Sequence, residues 1–465
     1  MRSCAVSSGM NNGIAAIAVL TFRGAWRSRL THCVAALACS SILTLVLTAR
    51  GDGTLSGLLK LVIEYSLKAA FWILAVSGLW AGCGAVSEDI RRRHIQLLAV
   101  KPLRPSDLWL GRWIGISAVM ALTLAVCGVL VGAIASAAMN SNAAPAERKH
   151  LSEHVLNARW RLLPSERVTR QDVEKRLAAL KADGTISDRA SAEDAWRYAL
   201  QRVKWERSTV QRGESIEWTF RVPQSVRLPQ SGNAKAWARI RLYSPLRDRR
   251  ETAMEWTFAA PSGNAGYSLS IPPDGVHYLD IPPSLVKAGA TLLVRFRHAG
   301  EAQDAPVMFD PDAPIEVIVT RSGFAGNLAR ALLIIFCRLS LVAAVGLTAG
   351  TAFSMPVALF VTVCVFIIAS GSAFFTEASV VNYAKIHDPE KISAYARTAS
   401  WLLGKISLLL EPLARLDPAQ CLIDGVYIPW SATFTTCAVI LGTYAALLFA
   451  AGVFLLKRKE LALPE

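Results

Sequence analysis

Six stretches of the chain stay apolar for about the length a helix needs to cross a bilayer: Cys33–Thr48, Ala69–Val86, Trp113–Met139, Ala331–Gly350, Thr351–Phe375 and Thr433–Leu456. A spanning helix satisfies its backbone hydrogen bonds internally and takes roughly 20 mostly apolar residues. The first stretch is the shortest, and Arg29, His32 and Arg50 flank it. It begins far from the start of the chain and no small-residue cleavage site follows it. A retained helix is therefore expected rather than a signal peptide. Before it, Ile14, Ile17, Leu20, Phe22 and Trp26 alternate with Arg23, Arg27 and Arg29, the pattern of an amphipathic helix over Ile14–Leu30 on the inner membrane surface.

Between the third and fourth stretches the periodicity changes. Thr169–Leu180 and Ser191–Arg202 read as helices, with Ser191 and Asp194 resembling a capping box. Glu214–Val222, Trp237–Tyr243, Met254–Phe258, Leu292–Arg297 and Ile315–Thr320 then alternate apolar with polar residues between Pro and Gly clusters, which predicts strands. Ile240 and Leu242 are expected to face a core while Arg239 and Arg241 face water, and likewise Val294 and Phe296 against Arg295 and Arg297. Such arginine faces read as solvated strand faces, an acidic ligand being the rarer alternative. Thr376–Ser431 carries an apolar run, Trp401–Leu410, that is too short to span.

The expected fold is an α-helical integral membrane protein of about six transmembrane helices with an inserted extracytoplasmic α+β domain, a helical neck plus β-sandwich. Its division is an N-terminal helix over 1–31, three spans over 32–139, the external domain over 140–325, two spans over 326–375, an extracytoplasmic or re-entrant segment over 376–430, and a last span with its tail over 431–465.

Composition agrees with a membrane protein: 53% of the 465 residues are hydrophobic and the mean hydropathy is +0.35. The net charge of +15 comes from basic residues that flank the spans or mix with acids, so it speaks for orientation rather than nucleic acid. Arg2, Arg23, Arg27 and Arg29 precede the spans; Arg91, Arg92, Arg93, Lys101, Arg104 and Arg112 fill the second short loop; Lys457, Arg458 and Lys459 end the chain. An even number of crossings separates these groups, which places both termini in the cytoplasm of a multi-pass protein of the bacterial inner membrane.

Catalytic signals are absent from the sequence. The nine cysteines cluster in or near the spans without CxxC spacing, no HExxH occurs, and the seven histidines are dispersed. No GxxxxGK[ST] loop cradles phosphates, so ATP chemistry would have to come from another chain. Arg338 is the one charge deep in an apolar run, a functional candidate unless the span begins later and the side chain snorkels.

The loop Ser87–Gly115, SEDIRRRHIQLLAVKPLRPSDLWLGRWIG, is more than a connector. Glu88 and Asp89 follow the second span, Ile95–Val100 is apolar, Lys101-Pro102 breaks the chain, and Ser106 is a candidate N-cap for the helix restarting at Asp107. Leu97, Leu98 and Leu103 suit a partner's groove, and the alternative is a loop resting its arginines on lipid phosphates.

This loop, the basic N-terminal helix and the six-span layout resemble permease subunits of the ABC-2 type ATP-binding-cassette exporters. An acidic residue after span two, a leucine pair, a proline and a Gly-[Lys/Arg] before span three recur in that family, and here they are Glu88, Leu97-Leu98, Pro102 and Gly111-Arg112. The resemblance covers the membrane part, and the large insert departs from compact members. It implies that Ile90–Val100 is a coupling helix docking on a separate ATPase, with Glu88, Asp89, Arg91, Leu97, Leu98, Lys101, Pro102, Gly111 and Arg112 at the contact. ATP and magnesium would then sit on that partner, this chain would bind no cofactor and be no enzyme, and it would pair with itself or a sister permease. Export of a substrate is the expected function. ATPase-coupled mechanotransmission and an envelope sensor or scaffold acting through the external β-domain are the alternatives.

Overall fold

The computed structural model describes residues 4–50, 54–91, 104–140, 156–165, 168–187, 190–224, 236–243, 251–272, 274–300, 306–311, 313–377 and 416–458, with a few isolated positions besides. The chain divides into a helical unit, Met1–Asn157 with Gly323–Ala373 and Gly404–Glu465, and a second unit, Ala158–Ser322 with Phe374–Leu403. In chain order the helices are α1 (Cys4–Arg27), α2 (Arg29–Thr48), α3 (Leu55–Arg91), α4 (Pro105–Met139), α5 (Arg170–Ala182), α6 (Ala192–Ser208), α7 (Phe324–Ala352), α8 (Met355–Glu377), α9 (Pro418–Ile423), α10 (Trp430–Val439) and α11 (Ala446–Arg458). A π-helical turn, Ile440–Ala445, joins α10 to α11.

Among the described residues, five helices are long and apolar enough to cross a membrane: α2, α3, α4, α7 and the continuous run Trp430–Arg458. The remaining predicted stretch, Thr351–Phe375, falls mostly in α8, of which Met355–Ile368 is apolar among the described residues. The predicted helix Ile14–Leu30 is divided. Ser28 is extended at φ −71° and ψ 129°, and its side chain accepts the Leu30 amide to cap α2. The expected cap at Ser106 is also corrected, because Arg104 is the extended residue and Pro105 takes the first helical position. Proline suits that position because its missing N–H would have no partner there.

The bundle is drawn together at glycines. A Cβ on Gly82 would lie 2.7 Å from the Ala343 carbonyl oxygen, and one on Gly350 would lie 2.5 Å from that of Cys83. No side chain fits there, so α3 and α7 touch backbone to backbone. Gly346 opposite Leu79 and Gly350 opposite Cys83 make this seam parallel. Gly128 opposite Leu332 and Gly132 opposite Leu328 make α4 antiparallel to α7. Around these seams Ile63, Leu67, Leu74, Leu124, Ile334 and Leu339 form the main apolar core.

In the second unit α5 and α6 close on their own small core of Val173, Leu180, Ile186, Ala195 and Ala199. The reciprocal capping box lies on α5, between Thr169 and Asp172, rather than at Ser191. Ser191 still accepts the Asp194 amide at 3.1 Å, so the second helix has half of that device.

The strands form two sheets. One has the order β1 (Asn157–Leu162), β10 (Ile315–Gly323), β4 (Ala236–Tyr243), β9 (Val307–Phe309), β2 (Thr209–Val210), with β7 (Gly275–Ile281) also paired to β4. The other has the order β3 (Ser215–Arg221), β8 (Thr291–His298), β5 (Thr252–Ala260), β6 (Gly263–Ile271). Their inner faces share one core, in which Phe309 of the first sheet stands edge-on to Trp218 and Phe296 of the second, each at 5.0 Å. Aromatic pairs in this geometry add attraction beyond their area.

One expectation about these faces fails. Arg295 and Arg297 are exposed and pair across strands with Glu217 and Glu255. Arg239, however, is only 7% exposed, so it does not face water. Its register partner on β10 is Glu316, which is fully buried, and the Arg239 Nη2 to Glu316 Oε2 distance is 2.6 Å. Arg161 also pairs with Glu316, while Arg241 reaches Asp310 at 3.4 Å and Glu316 at 3.8 Å. A buried carboxylate needs such partners, and they bring the arginines in with it.

Candidate functional site

The residues implied as coupling contacts lie at the end of α3, at the start of α4 and in the sequence between them. Arg91 ends α3, and the side chains of Glu88, Asp89 and Arg91 lie outside the described residues, as do Leu97, Leu98, Lys101 and Pro102 entirely. Gly111 and Arg112 belong to the first turns of α4. A Cβ on Gly111 would lie 2.6 Å from that of Ile17, and one on Gly115 would lie 2.6 Å from that of Thr21, so α1 runs tightly along this part of α4 in the same direction.

Two tryptophans fix the same turns from other sides. Trp109 is buried against Gly452 and stands edge-on to Phe449 at 5.4 Å, both on α11. Trp113 Nε1 donates to the Ser340 carbonyl of α7 at 2.8 Å. The chain that leaves the loop therefore enters a helix root held by α1, α7 and α11. Asp107 in the first turn places a carboxylate at the positive end of the helix.

A second polar set lies along α7. Arg338 donates to the carbonyl of Leu416, so it is turned toward the protein rather than snorkelling. Arg330 Nη1 donates to the Ile428 carbonyl at 2.6 Å, and its guanidinium lies 4.5 Å from the centre of the Tyr427 ring. Asn327 completes the set: its Nδ2 donates to Val426 O at 2.7 Å, and its Oδ1 accepts Ile428 N at 2.9 Å.

Between these anchors Asp417 caps α9 by accepting the amides of Ala419 at 3.0 Å and Gln420 at 3.3 Å, while Ala419, Leu422 and Ile428 enter the main core. Arg338 stands 14 residues into α7, about 21 Å along a helix of 29 residues. The end of the 376–430 segment thus reaches the middle of that helix, and most of the segment lies outside the described residues. Arg330 and Asn327 were missed because they sit at the rim of an apolar run, where polar residues are ordinary.

Among the described residues no group of three or more His, Cys, Asp or Glu side chains is placed to hold a metal ion. No family model, no curated protein and no solved structure matches the chain.

Proposed function

We propose that the chain is the permease subunit of an ABC-2 type transporter, coupling ATP hydrolysis on a separate nucleotide-binding subunit to export of a substrate. In this reading both termini and the 92–103 loop face the cytoplasm of a bacterial cell, the β-rich unit is extracytoplasmic, and α8 supplies the sixth crossing. ATP and magnesium belong to the partner, and the permease pairs with itself or a sister chain.

The observation that carries the reading is the mounting of the loop. The helices that flank it, α3 and α4, have 37 and 35 residues. At 1.5 Å per residue they are about 55 and 52 Å long, well beyond a hydrocarbon core of about 30 Å. With the α4 root clamped by α1, α7 and α11, a push on the loop is delivered to the bundle rather than absorbed in slack. The directions of α3, α4 and α7 also fit the alternation that the basic residues require.

The test is purification of the tagged chain from its native membranes in mild detergent. An ATP-binding-cassette ATPase is expected to co-purify in stoichiometric amount. Recovery of envelope proteins alone, with no nucleotide-binding partner, overturns the reading.

A further inference from the structure

The β-rich unit carries a groove of about 850 Å³, bordered by Leu163, Pro164, the end of α6, Pro311 and Pro314, and running beside the start of β3. We propose that this groove binds an extended peptide segment of a partner polypeptide, which adds to β3 as a further strand. The inference does not depend on the transport reading.

Its basis is the direction of the β3 backbone. β3 is the terminal strand of its sheet, paired with β8 alone among the described strands. His298 N donates to Glu214 O at 3.1 Å and Val222 N donates to Ala290 O at 3.0 Å, so even-numbered positions turn their backbone groups toward β8. Backbone groups alternate sides along an antiparallel strand, and positions 215, 217 and 219 therefore point outward. Thr219 demonstrates this, because its carbonyl accepts both the Ser165 amide at 2.7 Å and the Ser165 hydroxyl at 2.6 Å. The chain itself already uses that outward position as a docking edge.

Beyond it, Ser215 and Glu217 line the groove. Their outward groups repeat every two residues, about 6.8 Å, which is the repeat of an extended peptide. Three of the residues around the groove, Pro164, Pro311 and Pro314, have no amide to offer to them. Between the sheets the groove meets Val210, Ile216 and Trp218, so alternate residues of the occupant should be apolar. Edge strands are commonly blunted by proline, lysine or a bulge, yet Ser215–Arg221 contains neither proline nor lysine. Strand addition of this kind takes affinity from the main chain and selectivity from alternate side chains.

The test uses the full chain in nanodiscs and a fluorescein-labelled acetyl-Thr-Val-Thr-Val-Thr-amide peptide, read by fluorescence anisotropy. Saturable binding is expected, weakened at least tenfold by Ser215→Pro. That substitution removes an outward amide while leaving the β3–β8 ladder its donors. A peptide N-methylated on every residue should fail to bind the unaltered chain, and this arm holds even if the variant does not fold. Absence of saturable binding, equal binding of the N-methylated peptide, or undiminished binding by a folded Ser215→Pro chain overturns the proposal. Capture of a chito-oligosaccharide in place of the peptide overturns it too.

Discussion

At Glu316 the energetics of a single side chain decide what three strands can carry. Its carboxylate is fully buried and draws Arg161, Arg239 and Arg241 toward one point. Removing one partner of such a set leaves uncompensated buried charge, which typically costs about 3–5 kcal/mol. Glu316→Ala should therefore destabilise the β-rich unit by about that amount, seen as earlier tryptic cleavage and faster amide exchange in β4 and β10, whereas an exposed swap such as Glu255→Ala should change little. Asp172 makes a different prediction. Hydrogen bonds from the Thr169 hydroxyl and amide, and then the charge of Arg207, hold its carboxyl below the usual carboxylate range. A depressed native pKa contributes stability above the ordinary carboxylate pKa, and that contribution disappears as the pH falls through the native value. Exchange in the first turn of α5 should accelerate on acidification below about pH 4, and Asp172→Asn should remove that dependence.

At the scale of elements, the sequence was legible wherever burial was one-sided and the element long. Five apolar stretches lie in spanning-length helices, and all five expected strands form, because period and length together leave few alternatives. Of the strands not anticipated, β2 and β9 have only two and three residues, too short to show a period, whereas β6 carries an alternation that was present and unread, with Ala265, Tyr267, Leu269 and Ile271 packed against the core. Arg239 misled because alternation reports which face a residue occupies, while the burial of that face depends on a carboxylate 77 residues later in the chain. Other signals were present and unread. Glycines recur at a spacing of four at 78 and 82, 111 and 115, 128 and 132, and 346 and 350, the small-xxx-small pattern that lets helix backbones approach in a membrane. Gly346 and Gly350 set the α3–α7 contact, so Gly346→Val should force the two helices apart. Overpacking of this kind typically costs about 1–3 kcal/mol, and backbone on both sides places this site at the upper end. Thermal melting in detergent checks it, against Gly24→Val, where a Cβ meets open space.

For the whole molecule, the question is whether the 92–103 loop passes force to the bundle or only rests on lipid. The described residues fix its surroundings: α3 on one side, and on the other an α4 root held by Ile17, Trp109 and Trp113. None of these anchors is a loop residue, so changes within the loop should leave folding and insertion intact. Under the proposed function, replacing both Leu97 and Leu98 by Asp removes apolar anchors and presents charge to a partner's groove. Such an anchor is typically worth about 2 kcal/mol or more, so the pair should lower ATPase co-purification at least tenfold, and Glu88→Lys should act in the same direction. A loop that only lies on phosphates would show the opposite pattern, since its arginines rather than its leucines would govern its attachment. The decisive comparison is between the double leucine variant and Arg92→Ala with Arg93→Ala. If the leucine variant inserts normally and retains its ATPase while the arginine variant loses membrane attachment of the loop, the coupling assignment falls. If the leucine variant alone releases the ATPase, the clamped root of α4 is where the stroke enters the bundle.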